Sequence, residues 1–175
     1  MDGKEQFAKR SVVLFDFSDH ETISLWKPVN DAVMGGMSRG EMKVQSSTSV
    51  LFTGAVSLKN GGGFASIRTL PSSYDLRSFR FVELHVKGDG KTYKLNITDG
   101  FDQRGILHQA RFETPQGKPT RATIAFDEFQ PVFRGTPLPE HQKLDFSNIK
   151  TFGLMISDRQ EGSFSLEISK IMAVK

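Results

Sequence analysis

Residues 79–98 read FRFVELHVKGDGKTYKLNIT, and their alternation decides the fold class. Val82, Leu84 and Val86 share one face of the first run, with Glu83, His85 and Lys87 on the other. Tyr93, Leu95 and Ile97 repeat the pattern against Lys94, Asn96 and Thr98. A period of two is the signature of a β-strand with one buried face. Between the runs stands Gly88-Asp89-Gly90, and an Asp-Gly pair between alternating strands predicts a hairpin.

The same signature continues in both directions. Strands are predicted over residues 11–17, 41–46, 50–58 and 64–70 on one side, and over 106–113, 120–126, 151–157 and 163–174 on the other. A loop is expected through Trp26, Pro28 and the Gly35–Gly36 pair. In the last run Phe164, Leu166 and Ile168 share a face, whereas Ile171 and Ala173 fall out of phase. A bulge near Ser169–Lys170 would restore the register. Only single helical turns, at 127–130 and 147–150, compete with strand. About ten short strands separated by turn signals predict an all-β sandwich, or jelly roll. Fifteen Phe against one Trp and two Tyr fit that reading, because Phe fills a core without a polar partner.

A chain of 175 residues is long enough to bury a core without a disulfide or metal. A single sandwich domain is expected over residues 11–175, after a flexible N-terminal stretch, 1–10. The chain has no cysteine, which excludes disulfide scaffolds, thiolate metal sites and cysteine nucleophiles together. Lys and Arg number 23 against 20 acidic residues, a net charge of +3 without a clustered basic footprint, which permits a nucleic-acid partner without pointing to one. No apolar run approaches the length of a membrane span. Residues 1–10 lack an apolar signal core, so a cytoplasmic location is expected, with the mitochondrial matrix only if a presequence has been removed.

The glycine-rich segments do not carry phosphate chemistry. DAVMGGMSRG, 31–40, lacks both the Lys and the glycine spacing of a phosphate loop, and Gly61–Gly63 lacks dinucleotide-fold spacing. His20, His85, His108 and His141 are scattered without metal-ligand spacing. Asp127 and Glu128 are adjacent, so they cannot flank a substrate as an acid–base pair. No catalytic residue, cofactor or metal is expected. Residues 129–135, FQPVFRG, are different: Pro131 places them at an edge or in a loop, where two Phe and an Arg are unusual.

Five blocks together resemble one family, the complex I intermediate-associated proteins. They are WKPVNDAVMGGMS (26–38), SLKNGGGFASIR (57–68), the 87–93 turn, FQPVFRG (129–135) and GLMISDRQEGSFSLEISKI (153–171). The resemblance implies a galactose-binding-like β-sandwich without known catalysis. It also implies kinship with assembly factors or chaperones of the NADH:ubiquinone oxidoreductase, and with chloroplast relatives acting in messenger translation. From the matching positions, Asp31, Met34, Ser38, Asn60, Tyr93, Phe129, Phe133 and Arg134 are candidates for contact with a protein partner. Trp26, Gly35, Gly36, Gly61, Gly62, Asp89 and Gly135 are expected to be structural. Asp31 and Arg134 are expected to join their two loops by a charge-assisted hydrogen bond. The leading expectation is a protein-binding module for a respiratory complex. A carbohydrate-binding module of the same fold and an RNA-binding accessory domain are the alternatives.

Overall fold

The computed structural model describes residues 11–31, 35–100 and 105–175; the predicted N-terminal stretch 1–10 and Met34 lie outside the described residues. Two antiparallel sheets face one another. The first contains β1 (Ser11–Asp16), β3 (Arg39–Val44), β4 (Val50–Val56), β6 (Phe81–Lys87), β9 (Pro119–Ala125) and β13 (Gly162–Val174), ordered β3-β4-β13-β6-β9 with β1 also on β13. The second contains β2 (Trp26–Pro28), β5 (Ala65–Thr69), β7 (Thr92–Asp99), β8 (Ile106–Glu113), β10 (Gln130–Phe133), β11 (Thr136–Pro137) and β12 (Ile149–Ile156). Its order is β11-β10-β8-β7-β12-β5-β2. One helical turn, α1 (His20–Ser24), is capped by the Asp19 carboxylate, which accepts the Glu21 N–H.

β13 organises the first sheet. Its first half pairs with β4 and its second half with β1, while β6 runs along its other edge. The register against β6 shifts between Ile168 and Lys170, so Phe164, Leu166 and Ile168 and then Ile171 and Ala173 all reach the core. That is the predicted bulge. The core between the sheets is rich in aromatics: Phe52 meets Phe164 edge-on at 4.9 Å between centroids, and Phe15 meets both Trp26 and Phe152 at 5.2 Å. Edge-to-face contact of this kind adds to the stabilisation from burial alone.

The predicted hairpin at Gly88-Asp89-Gly90 does not form. β6 and β7 belong to different sheets, and the turn carries the chain across the sandwich. Asp89 turns inward instead, accepting the Tyr93 hydroxyl at 3.0 Å, the Lys91 N–H at 3.1 Å and the Ser165 N–H at 2.9 Å. Burial and that carboxylate together push the Tyr93 phenol well above its ordinary pKa. Trp26–Pro28, read as loop, is a short strand against β5. Pro131 sits next to the edge, in a β10 that pairs with β8 on one side and only the two-residue β11 on the other.

Candidate functional site

The predicted Asp31–Arg134 bond is absent, and the positions of the two residues explain why. Asp31 is 1% exposed, and its carboxylate faces backbone on both sides. Oδ1 accepts the Ser38 N–H at 2.9 Å; Oδ2 accepts the N–H groups of Gly63 at 2.7 Å and Phe64 at 3.3 Å. The Asp31 carbonyl also accepts the Gly36 N–H at 2.9 Å. Burial pushes the Asp31 carboxyl up, but the contacts from Ser38, Gly63 and Phe64 outweigh it and hold the pKa below its ordinary value. Ser38 completes the clamp, its hydroxyl donating to the Ser57 carbonyl at 3.1 Å and accepting the Ser57 N–H at 2.9 Å. The motif glycines follow from this geometry. A Cβ on Gly36 would collide with the Asp31 carboxyl, and one on Gly62 would lie 2.6 Å from Oδ2.

Arg134 belongs to the turn between β10 and β11. The register Val132–Pro137 and Phe133–Thr136 leaves Arg134 and Gly135 as a two-residue loop, with φ of 49° and 81°. Positive φ at both positions is the type I′ arrangement, for which Asn-Gly is favoured. The exposed guanidinium lies 5.2 Å from the centroid of the Phe133 ring, and among the described residues no acid pairs with it.

Of the other expected contact residues, Ser38, Tyr93 and Phe129 are buried and out of a partner's reach in this conformation. Asn60 is exposed on the tight turn Lys59–Gly61, and Phe133 is 38% exposed. Trp26 lies in the core, and Gly35 takes a φ of 87° beside the Asp31 clamp. Three motif blocks nonetheless converge: Asp31, Gly61, Gly62, Arg134 and Gly135 all border one cavity of about 310 Å³.

That cavity is one part of a trough on the outer face of the second sheet. A smaller hollow of about 120 Å³ shares Phe64, Leu107 and Met155 with it, and leads to one of about 640 Å³ beside Lys27, Arg68 and Lys150. On the opposite side, Lys94, Gln109 and Gly135 connect it to a hollow of about 450 Å³ at Gln130 and Glu128. Strand register builds the floor: Arg68, Gly153, Asn96, Gln109 and Gln130 stand side by side across β5, β12, β7, β8 and β10. Gly153 deepens the middle of the row, and Met155 accepts weak contacts from Asn96 Nδ2 at 3.8 Å and Gln109 Nε2 at 3.6 Å. Lys94 and Arg111 both pair with Asp158 at 2.9 Å. The sequence reading missed this row, although its signal was the polar phase of the strands that defined the fold. Among the described residues no cluster of His, Asp and Glu is placed to hold a metal ion.

A jelly-roll sandwich with an open trough across one sheet is the architecture of galactose-binding-like modules, and solved structures agree. A family 11 carbohydrate-binding module from Clostridium thermocellum, in complex with a β-1,3-1,4-mixed-linked tetrasaccharide, matches with a TM-score of 0.71 at 14% identity, over 94% of this chain and 95% of that one. A family 30 carbohydrate-binding module matches with a TM-score of 0.56 at 11% identity, over 94% and 99% of the two chains. At such identities the likeness concerns the fold.

Residues 15–168 match the sequence profile of Complex I intermediate-associated protein 30, and the chain belongs to this CIA30 family. It is 27% identical to Complex I intermediate-associated protein 30, mitochondrial, of Mus musculus, over 96% of this chain and 57% of the mouse protein. It is 26% identical to an uncharacterized protein of Schizosaccharomyces pombe, over 93% of this chain and 84% of the yeast one. The chain thus spans little more than half the length of its mouse relative. No helix among the described residues is long and apolar enough to cross a membrane.

Proposed function

We propose that this chain is a non-catalytic protein-binding module that assists assembly of a respiratory NADH:ubiquinone oxidoreductase or an allied membrane complex. Membership of the CIA30 family across residues 15–168 carries the reading. The place of action follows from the host: the cytoplasm, or the mitochondrial matrix where a presequence has been removed. Arg134 borders the trough, Phe133 is exposed beside it and Asn60 is exposed on its own turn, so these motif side chains are open to a client.

The fold neighbours raise glycan binding as the competing reading, but sugar platforms use exposed faces of Trp or Tyr. Here Trp26 and Tyr93 are buried, and Tyr74 packs edge-on against Phe15 and Phe152. RNA readers stack bases on strand-borne aromatics, whereas no strand residue that lines this trough is aromatic, and the Phe64 ring that lines it is half-buried in the loop before β5.

Crosslinked affinity capture from the native organism, with Arg134→Ala beside the wild type, tests the proposal. Subunits or assembly proteins of the oxidoreductase should be enriched by the wild type and depleted by the variant. Capture of no such protein by the wild type overturns the assembly role; equal capture by both removes Arg134 from the contact.

A further inference from the structure

We infer that the trough holds an extended, acidic polypeptide segment of the client, its backbone read by the Asn96–Gln109 row and its carboxylates by bases at one end and beside the central cavity. The inference rests on the protein-binding reading and gives the partner its chemistry. It begins with unmet hydrogen bonds. Asn96 is 5% exposed and lines the floor, yet its Oδ1 has no partner, and its Nδ2 has only the Met155 sulfur at 3.8 Å. Ser157 Oγ, at the wall of the central cavity, is likewise buried without a partner. Gln109 Nε2 has the same sulfur, at 3.6 Å. Thioether sulfur is a weak acceptor. The floor therefore offers both an amide acceptor and an amide donor, the complement of a peptide group, which brings one N–H and one C=O per residue.

The charges select the side chains. Lys27, Arg68 and Lys150 border one end of the trough and Arg134 its central cavity, and none of the four has an acid within ion-pair range among the described residues. The acids nearby are committed within the protein. Asp31 holds the backbone of its clamp, Asp158 pairs with Lys94 and Arg111, Glu128 accepts the Ala125 N–H at 2.6 Å, and Asp99 accepts the Asp145 N–H at 2.9 Å. Arg134 adds a further indication. Its φ of 49° strains any residue other than Gly, Asn or Asp, and a turn selected for stability alone would place Asn there.

Dimensions suit a single extended segment. Five strands at about 4.8 Å spacing set the ends of the row about 19 Å apart, the reach of about six extended residues. Met155 at the centre supplies an adaptable apolar contact that tolerates varied sequence. A glycan would leave these bases unused, and an RNA strand would find no ring among the strand residues of the floor, Phe64 being half-buried in the loop before β5.

The test uses a fluorescein-labelled peptide of five Glu-Gly repeats, read by fluorescence anisotropy with the whole chain. Binding is expected, and reversing the charges of the exposed Arg68 and the half-buried Lys150 together, Arg68→Glu with Lys150→Glu, should weaken it about tenfold or more. Five Glu-sarcosine repeats carry the same charge but lack every second N–H, and should bind at least about fivefold more weakly. Backbone amide shifts of the wild-type chain should move on β5, β7, β8 and β12. Absence of binding, indifference to the charge reversals, equal binding of the sarcosine peptide, or shifts confined to the first sheet would each overturn the inference. So would tighter binding of decauridylate or of the mixed-linkage tetrasaccharide. If capture from the organism yields its client while the peptide fails, the protein-binding reading stands and only this trough assignment falls. If the peptide binds and no client is captured, the assembly role falls instead.

Discussion

On one side of the central cavity Asp31 is sealed in backbone; on the other Arg134 stands in solvent on a strained turn. Both are charges in motif blocks, and both border the same space. The first accepts three backbone N–H groups, from Ser38, Gly63 and Phe64, whereas the second lies over the Phe133 ring and has no hydrogen-bond or ion-pair partner among the described residues. The glycines beside them differ in the same way. Gly62 has a φ of −68°, open to any residue, but no room for a Cβ; Gly135 has nothing within 4 Å of a Cβ but a φ of 81°. A motif residue whose partners are all internal belongs to the fold. One held at a conformational cost with no internal partner is free to serve something outside.

The sharpest way to break this contrast is Asp31→Ala. It leaves the buried N–H of Ser38 and the half-buried N–H groups of Gly63 and Phe64 without their acceptor, so about 3 kcal/mol of stability should be lost. Arg134→Ala should change stability by less than about 0.5 kcal/mol, as for other exposed positions. Urea titration of both variants decides the matter; a loss under about 1 kcal/mol at Asp31 would remove the clamp from the account of the fold.

Acid sharpens the same point. The folded pKa of Asp31 is lowered, so its contribution is complete above the unfolded carboxyl pKa and disappears as pH falls through the folded value. Asp31→Asn has no such titration. The stability gap between wild type and Asp31→Asn should therefore narrow between about pH 5 and pH 3. A gap constant across that interval would mean that the carboxylate charge contributes nothing to the clamp.

Gly62→Ala and Gly135→Ala divide the two kinds of glycine. The first forces a methyl against the Asp31 carboxylate and should cost about 1–3 kcal/mol through overpacking. The second meets no atom and should cost about 1 kcal/mol through its backbone conformation alone. Asp31→Ala should relieve the part of the Gly62→Ala penalty due to the carboxylate, leaving the contacts at 3.0 Å with the Lys59 and Ser57 carbonyls, and none of the Gly135→Ala penalty. A double-mutant cycle measures that coupling.

Much of the sandwich was legible because burial imposes its own period on a strand. β8 coincides with the predicted run 106–113, and the phase change along β13 marked its bulge before any pairing was known. The Asp-Gly turn misled because turn chemistry specifies a reversal of direction and not which strand lies beside which. Asp89 had a stronger use, satisfying the buried Tyr93 hydroxyl and the Ser165 N–H. Short strands such as β2 and β11 carry too few residues to display a period. The trough row escaped notice for a different reason: on a half-buried strand the polar phase is ordinarily solvent-facing, and only cross-strand register shows Asn96, Gln109 and Gly153 together.

The smallest expected effect is also the most diagnostic. Arg134→Asn places in the type I′ turn the residue that its φ of 49° favours, so stability should be unchanged or rise by a few tenths of a kcal/mol. Binding of the Glu-Gly peptide should fall in the same variant. A stabilised protein that binds less well would show that Arg134 is retained at the expense of its own turn. If Arg134→Asn instead destabilises the chain by about 1 kcal/mol, the guanidinium over Phe133 is an anchor of the β10–β11 hairpin. Arg134 would then belong with Asp31 among the residues that build the fold, and the search for the client contact would move to Lys27, Arg68 and Lys150 at the end of the trough.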